Sequence, residues 1–388
     1  MKARIIIWAL LIPAIFLVSF LTADYFLENN GKQSPKEIMR DIEVTYNNSS
    51  EMNNPTESTG VEESQEAILE PEIENRFLDG NWQKQAVIAA VIDNFSEARP
   101  LSGLDQAVIV YEVPVEADLT RLVGIFSYDF LPEKIGPIRS ARPYLAELAE
   151  EYGALFIHAG GSPDAIQKLK QNYWQIYNLD EVSGNGVYFF RLKTRVAPFN
   201  TYVSKASIEQ FIKNKNLTNA LLSNFVGWKF SRTRTDTDKT RTNTDLTRTN
   251  TENVSVGRRA GQRESVLVKV NYHEPVFWEY DSPSGDYLCF RNGEPFVDAD
   301  NEQIKTKNLV IQKTKIVVLD EIGRRSIELT GEGEAIIFQG GQVIEGKWQK
   351  TAAGSRTKFY NLSGEETEFL PGPIWVEVVS VNHKLLYY

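Results

Sequence analysis

The chain has 388 residues and a mass of 44.0 kDa, which is enough for about two or three domains. A hydrophobic content of 42% with 11% aromatic residues excludes a wholly disordered or fibrous chain, and one Cys with three His excludes disulfide scaffolds, zinc-finger arrays and Cys-ligated clusters. A net charge of −10 and a pI near 5.1 argue against a dedicated nucleic-acid-binding protein, which normally carries a basic excess.

The first 27 residues predict a membrane segment. Residues 5–23 contain no charge, and a helix of this length would span roughly 28 Å, close to the thickness of a bilayer core. Lys2 and Arg4 precede the run and Asp24 follows it, so the positive-inside rule places the later residues outside the cytoplasm. An uncleaved single-pass anchor in the cytoplasmic membrane is the first interpretation; a cleaved signal peptide and a buried core helix are the alternatives.

Two further segments have the composition of flexible chain. Residues 28–75 hold 12 acidic and 3 basic residues and few aromatics, so residues 28–79 are predicted to be a disordered acidic tether between the membrane and a folded body. Residues 231–263 alternate Thr with charged residues and present no apolar face, which predicts a disordered surface insertion.

Residues 80–230 predict an α+β or α/β domain. The short apolar runs typical of buried strands lie at 86–92, 106–113, 120–128 and 154–159. Helices are predicted from a Ser140 cap through Tyr152, from Ser162-Pro163 through Lys170, and from Ser204 or Ser207 through Phe211.

Residues 264–388 predict a second, mostly antiparallel β domain, either a small barrel or a sandwich. Five segments combine β-branched residues with partial alternation, at 266–272, 309–319, 334–339, 343–348 and 374–381. Gly340-Gly341, between two of these segments, is typical of a hairpin turn.

Polar residues in the first domain cluster where apolar runs end and helices begin. Asp93 and Asn94 directly follow the run at 86–92, and His158 leads into Gly160, Gly161 and Ser162 at a helix start. Backbone N–H groups at such a turn, with the helix dipole, can bind an anion. Arg139 and Arg142 flank the Ser140 helix start and are suited to a carboxylate or phosphate, so we expect both helix starts to face one cleft holding an anionic group.

Two other interpretations of these residues remain open. In the first, the glycines serve the turn and each arginine pairs with Glu112, Glu116 or Asp118, as in structural ion-pair networks. In the second, Asp93, Glu112 or His158 acts as an acid or base in a hydrolase.

Other common chemistries have no sequence support. The three His are 115 and 110 residues apart, so no metal-ligand spacing exists, and no phosphate-binding or dinucleotide motif occurs. No metal or cofactor is therefore expected. Cys289, in an apolar strand pattern, is typical of a core residue.

Ordered motifs along the chain resemble one family. Eight segments in chain order look like the YerB-like lipoprotein family. In the first half they are VIDNFSEARPLSGLDQAVIVYEVPVEADLTRLVGIF, IGPIRSARPY, HAGGSPDAIQKL and the stretch YFFR to RVAPFNTYVS. In the second half they are DYLCFRNGEPFVDAD, KNLVIQKTKIVVLD, GEGEAIIFQGGQVIEGKW and PGPIWVEVV. The resemblance covers roughly residues 80–388 without the Thr-rich insertion. It implies a bacterial, envelope-anchored, two-domain protein, and the family is one of unknown function, so the resemblance supplies no reaction.

The resemblance also marks motif residues, which extend the candidate site. The candidate ligand-binding residues are Asp93, Asn94, Arg99, Glu112, Glu116, Arg121, Arg139, Ser140, Arg142, His158, Gly160, Gly161 and Ser162. The sequence departs from the family at one point: lipoprotein members carry a Cys directly after the signal, whereas the single Cys here is Cys289, so an uncleaved helix would replace the lipid.

The function expected from the sequence is that of a membrane-tethered extracytoplasmic envelope protein that binds an anionic envelope ligand or a protein partner. The alternative is an envelope hydrolase acting on a cell-wall polymer. Contact with the membrane is expected through residues 5–23, and no nucleic-acid partner is expected.

Overall fold

The computed structural model describes residues 86–221, 227–231 and 267–388. The predicted membrane segment, the acidic tether and residues 232–263 of the predicted insertion lie outside these ranges. All described residues belong to one unit of the chain. None of its helices is long and apolar enough to span a membrane.

Strands are the commonest regular element in the described residues. In the first half the strands are β1 Val87–Asp93, β2 Ile109–Pro114, β3 Thr120–Ser127, β4 Lys134–Ile135, β5 Leu155–His158, β6 Tyr177–Asp180, β7 Phe189–Arg191, β8 Thr201–Ser204 and β9 Lys229–Phe230. In the second half they are β10 Leu267–Val270, β11 Val276–Asp281, β12 Asp286–Arg291, β13 Glu294–Pro295, β14 Lys305–Thr306, β15 Asn308–Thr314, β16 Ile316–Val318, β17 Arg325–Ile327, β18 Gly331–Gln339, β19 Gln342–Lys350, β20 Lys358–Asn361, β21 Glu368–Phe369, β22 Ile374–Ser380 and β23 Leu386–Tyr387. The α-helices are α1 Pro143–Glu151, α2 Pro163–Lys170 and α3 Lys205–Asn214.

One ten-stranded sheet runs through both halves, in the order β20-β19-β18-β15-β22-β2-β3-β1-β5-β6. The two halves join where β22 pairs in parallel with β2, and Glu112 lies opposite Glu377 in that register. Strands of the segments 80–230 and 264–388 therefore share a sheet, and the predicted domain boundaries stay a prediction. The mixed α/β character of the first half and the mostly antiparallel pairing of the second agree with the predicted fold class.

Both faces of the central sheet are covered, as β1 illustrates. All seven of its residues are buried. Val87, Ala89 and Val91 belong to the core beneath α1 and α2, whereas Ile88, Ala90 and Ile92 belong to the opposite core. Because β1 is buried on both faces, its sequence is continuously apolar and does not alternate apolar with polar residues.

A second sheet, β13-β12-β11-β10-β23 with β14 beside β12, packs on the opposite face together with α3. The rings of Trp278 in β11 and Trp375 in β22 meet edge to face with centroids 5.0 Å apart. Cys289 in β12 is fully buried in the same layer, and burial raises the pKa of its thiol. The prediction that Cys289 is a core residue is confirmed.

Two of the predicted helix starts are confirmed and one is wrong. Ser162 and Ser204 occupy the N-cap positions of α2 and α3, where their hydroxyls accept from the backbone N–H groups of Ala165 and Ser207 at 3.3 and 3.1 Å. Ser140 does not cap α1, because the helix begins at Pro143 with Arg142 as the extended residue before it. Proline favours the first helical position and disfavours helical backbone in the residue before it.

The predicted hairpin turn between β18 and β19 is confirmed. Gln339 pairs with Gln342 across Gly340 and Gly341. Both glycines have positive φ, 56° and 72°, which is the backbone that a two-residue hairpin turn requires.

Asp105, in the loop after β1, and Asp298, in the loop before β14, form a carboxyl pair that should make the stability of the fold depend on pH. Asp298 is buried and accepts a hydrogen bond from the backbone N of Leu104 at 2.8 Å. Burial, together with a hydrogen bond to Asp298, raises the pKa of Asp105 to about 7. Since the folded state then binds a proton that the unfolded state releases near pH 4, stability falls as the pH rises from about 4 to about 7.

Asp105→Asn should abolish that fall. The full pKa shift would correspond to about 4 kcal/mol, and solvent screening of the half-buried Asp105 reduces this. We therefore expect the variant to be about 2 kcal/mol more stable than the wild type at pH 8 and to differ little from it at pH 4. Urea denaturation across this pH range measures the difference. Parallel pH profiles for the two proteins would contradict the prediction.

Candidate functional site

The end of β1 carries the first two predicted site residues, Asp93 and Asn94, and both are buried. Asp93 accepts hydrogen bonds from Nε of Arg139 and, at 3.1 Å, from the backbone N of Phe95. The guanidinium carbon of Arg139 lies 5.1 Å from the ring centroid of Phe199. Arg139 therefore has a carboxylate and an aromatic face as internal partners.

Asn94 links Asp93 to a buried polar network around Glu112, which is fully buried in the middle of β2. Asn94 donates from Nδ2 to Oε1 of Glu112 at 2.9 Å and to Oγ1 of Thr120 at 2.7 Å. The Thr120 hydroxyl donates to the same Glu112 oxygen at 2.8 Å. The other carboxylate oxygen of Glu112 accepts from Nη2 of Arg291 at 2.5 Å. Glu112 is therefore hydrogen-bonded on both oxygens.

Glu116 holds the second pair of predicted arginines. Its Oε1 accepts from Nε of Arg142, and its Oε2 lies 3.9 Å from Nη2 of Arg121. Burial alone would raise the pKa of Glu116, but the hydrogen bond and charge of Arg142 lower it overall. Burial and the neighbouring Arg142 lower the pKa of Arg121 to about 10. Ser140 contributes its backbone carbonyl, which accepts from Nη1 of Arg121 at 2.8 Å.

Arg99 joins the first half to the second. It donates from Nη2 to the backbone carbonyl of Asn94 at 2.6 Å and to the carboxylate of Glu274, which also accepts from the Asn292 side chain. Its guanidinium carbon lies 5.3 Å from the ring centroid of Phe296.

The turn after β5 is held by internal hydrogen bonds. Nδ1 of His158 lies 2.7 Å from the carbonyl oxygen of Gly160, and Nε2 lies 2.7 Å from Oδ1 of Asn178. Burial lowers the pKa of His158, although the nearby Asp180 opposes this. Asp180 also accepts from the backbone N of Gly160 at 2.7 Å. Both ring nitrogens of His158 are engaged, and the Gly160 N–H predicted to bind an anion already has an acceptor.

Gly161 and Ser162 connect this turn to the Arg142 segment. Gly161 forms a β-bridge with Ala141, and the backbone N of Ser162 donates to the carbonyl of Ala141 at 3.1 Å. The predicted residues thus gather at the ends of β1 and β5 and the start of β3, but they pair mostly with one another.

A cleft of about 370 Å³ lies beside this network, between the two halves of the chain. The cleft is lined by Asn94, Phe95, Ser96, Leu119, Thr120, Tyr272, His273, Glu274, Pro275, Arg291 and Asn292. Among the predicted site residues, Asn94 alone belongs to this described lining. Asp93, Glu112 and His158, the candidate acid–base groups, do not.

Arg291, at the end of β12, is the buried cation of this cleft, with 4% of its surface exposed. Burial alone would lower the pKa of Arg291, but the carboxylate of Glu112 raises it. Within the described part of the chain, Nη2 to Glu112 is the one hydrogen bond this side chain makes, and its Nε is buried without an acceptor. A guanidinium has five N–H donors, so most of those on Arg291 have no acceptor in the protein.

A second carboxyl group, Glu377, lies next to Glu112 on the neighbouring strand and is fully buried. It accepts from Nε1 of Trp278 at 2.9 Å. Burial and the charge of Glu112 raise the pKa of Glu377 well above its usual range. Both effects favour its neutral form, since two carboxylates this close cannot easily both ionise.

Several residues of this site were not predicted from the sequence: Tyr272, Glu274, Trp278, Arg291, Asn292 and Glu377. One signal was available. Glu112 and Glu377 each stand in the middle of an apolar strand, where an acidic side chain needs a buried partner. The spacing along the chain does not reveal that partner.

A metal centre has no candidate here. In residues 86–221, 227–231 and 267–388, no group of at least three His, Cys, Asp or Glu side chains is placed to hold an ion.

Comparison with known proteins matches both halves of the chain. Residues 77–218 match the family model described as "Protein of unknown function (DUF3048) N-terminal domain", and residues 267–376 match the C-terminal domain of the same family. The chain is 29% identical over 293 residues to "Putative lipoprotein YerB" of Bacillus subtilis (strain 168), covering 75% of this chain and 80% of that protein.

A solved structure shares the fold. The crystal structure of the YerB protein from Bacillus subtilis superposes with a TM-score of 0.64 at 24% identity, covering 86% of this chain and 100% of that one. The ordered motifs, both domain models and the shared fold agree, and the chain therefore belongs to the DUF3048 family, the family of YerB.

Proposed function

We propose that this protein is a membrane-tethered extracytoplasmic envelope protein whose cleft beside Asn94, Thr120 and Arg291 binds an envelope ligand or a segment of a protein partner. Two features support the location: the apolar run at 5–23 with basic residues before it, and a relative named as a lipoprotein.

The observation that supports the proposal is that the buried side chain of Arg291 has N–H donors without acceptors in the described residues. Buried polar groups in folded proteins nearly always have hydrogen-bond partners, and a group without one calls for an explanation. Arg291 is buried, lines the cleft and uses one of its donors on Glu112. A ligand in the cleft would accept hydrogen bonds from those of the remaining donors that border the cleft.

The anion site expected at the two helix starts has less support. Arg139 is bonded to Asp93, Arg142 to Glu116, and the backbone N of Gly160 to Asp180. An anion would have to displace these carboxylates. The hydrolase alternative is weakened by the same pairing, because Asp93, Glu112 and His158 all have internal partners.

Two exposed neighbours on the short helix Ser96–Ala98 provide a matched test. Ser96 lines the cleft and Glu97 does not. In Ser96→Trp the indole should fill the cleft, whereas Glu97→Trp adds the same bulk next to it. We expect the full-length wild type and Glu97→Trp, solubilised in detergent, to co-sediment with isolated membrane-free cell-wall sacculi, and Ser96→Trp to bind them at least about tenfold more weakly.

Thermal unfolding of both variants checks that the fold is intact. The proposal fails if the wild type does not bind sacculi, or if Ser96→Trp binds them as well as Glu97→Trp.

A further inference from the structure

We propose that the ligand of this cleft is an uncharged glycan unit that carries an acetamido group. This inference rests on the proposed function and names the class of ligand.

The charges around the cleft are balanced without a ligand. Arg291 is paired with Glu112, and Arg99 with Glu274. Burial alone would raise the pKa of Glu274, but the hydrogen bond and charge of Arg99 lower it, so this carboxylate stays ionised. An anionic ligand would add an unpaired charge beside two carboxylates, and a cationic ligand would add one beside two guanidinium groups. An uncharged ligand avoids both penalties.

The cleft has unpaired N–H donors, so its ligand should supply an acceptor oxygen. Nε of Arg291 is a buried donor without an acceptor, and within the described residues this side chain hydrogen-bonds to Glu112 alone, whereas Asn94 and Thr120 already use their donors on Glu112. An amide carbonyl is the strongest uncharged acceptor among common envelope groups. Hydroxyl groups of a sugar can both donate and accept, which suits the exposed side chains of His273 and Asn292 at the rim.

The remaining walls are apolar. Phe95, Leu119, Tyr272 and Pro275 are each half-buried in the cleft lining. The ring of Phe95 is stacked on Phe199 with centroids 5.9 Å apart, which fixes its orientation. Such walls fit the C–H faces of a sugar ring and the methyl group of an acetamide, while the polar groups fix the orientation of the ligand.

A peptide fits less well. Extended peptides are usually held by pairing with the free edge of a sheet. The cleft lining comes mostly from loop residues at 94–95, 119 and 272–275, with Ser96 at the start of a short helix and Thr120 and Arg291 at strand ends. It offers no free strand edge within the described lining. The volume of about 370 Å³ lies at the lower end of the range for small-ligand sites.

The test is calorimetric titration of the full-length protein with N-acetylated chitotriose. The matched probes are fully deacetylated chitotriose, which is cationic, an oligomer of glycerol phosphate, which is anionic, and a cell-wall stem peptide. We expect the acetylated sugar to bind wild type and Glu97→Trp, and to bind Ser96→Trp and the double variant Arg291→Met/Glu112→Gln at least about tenfold more weakly. The other three probes should bind the wild type at least about tenfold more weakly than the acetylated sugar.

The possible failures are distinguishable. If the phosphate oligomer, the deacetylated sugar or the peptide binds the wild type best and Ser96→Trp blocks it, the ligand class is wrong and the cleft is still a binding site. If no probe binds but sacculi are bound by wild type and not by Ser96→Trp, the acetamido-glycan inference is again overturned. If neither the probes nor the sacculi bind, the proposed function fails as well.

Discussion

Arg291→Met should lower the free energy of unfolding by about 3–5 kcal/mol, because it leaves the Glu112 carboxylate buried without its counter-charge. Both side chains are nearly or fully inaccessible, at 4% and 0% exposure. Asn94 and Thr120 would still donate to Glu112, but they bond only one of its oxygens. Urea denaturation of the full-length chain measures the loss.

The double variant Arg291→Met/Glu112→Gln separates the charge from the packing. Neutral Gln keeps the shape of Glu112, so most of the lost stability should return. Glu377→Gln should cost less than about 1 kcal/mol, because burial and the charge of Glu112 already hold the pKa of Glu377 high and its carboxyl group neutral. If the double variant is no more stable than Arg291→Met, the buried charge is not the cause of the loss.

Local signals in the sequence were sufficient for most individual elements. Continuous apolar runs indicated β1 and β5, and a Ser followed by Pro indicated the start of α2. The misplaced start of α1 shows how local the information is. Pro143 fixes that boundary, and the capping preference of Ser140 misled the prediction.

The shared sheet and the cleft could not be predicted in this way. The pairing of β2 with β22 joins residues far apart in the chain, and no periodicity within either strand encodes its neighbour. The same holds for Arg291, which meets Glu112 because β12 belongs to the sheet packed over β2. A buried Glu in an apolar strand predicts that a partner exists, and the long-range topology decides which residue it is.

A second buried ion pair, between α1 and β19, joins the helical layer to the second half of the chain. Glu151 accepts from Nζ of Lys350 at 3.2 Å and from the backbone N and hydroxyl of Thr357 at 2.5 and 2.9 Å. Lys350 is 1% exposed and Glu151 is 4% exposed. Lys350→Met leaves the carboxylate with its two Thr357 donors but without a cation.

We expect Lys350→Met to lower the free energy of unfolding by about 3 kcal/mol, and the double variant Lys350→Met/Glu151→Gln to recover a large part of it. Lys347→Met is the matched control on the same strand, because Lys347 is exposed and its pair with Glu332 is a surface one, worth less than about 1 kcal/mol. Since Glu151 ends α1, amide hydrogen exchange in that helix should accelerate in Lys350→Met and not in Lys347→Met. Equal losses of stability in the two single variants would show that burial of the Lys350–Glu151 pair does not hold α1 against the sheet.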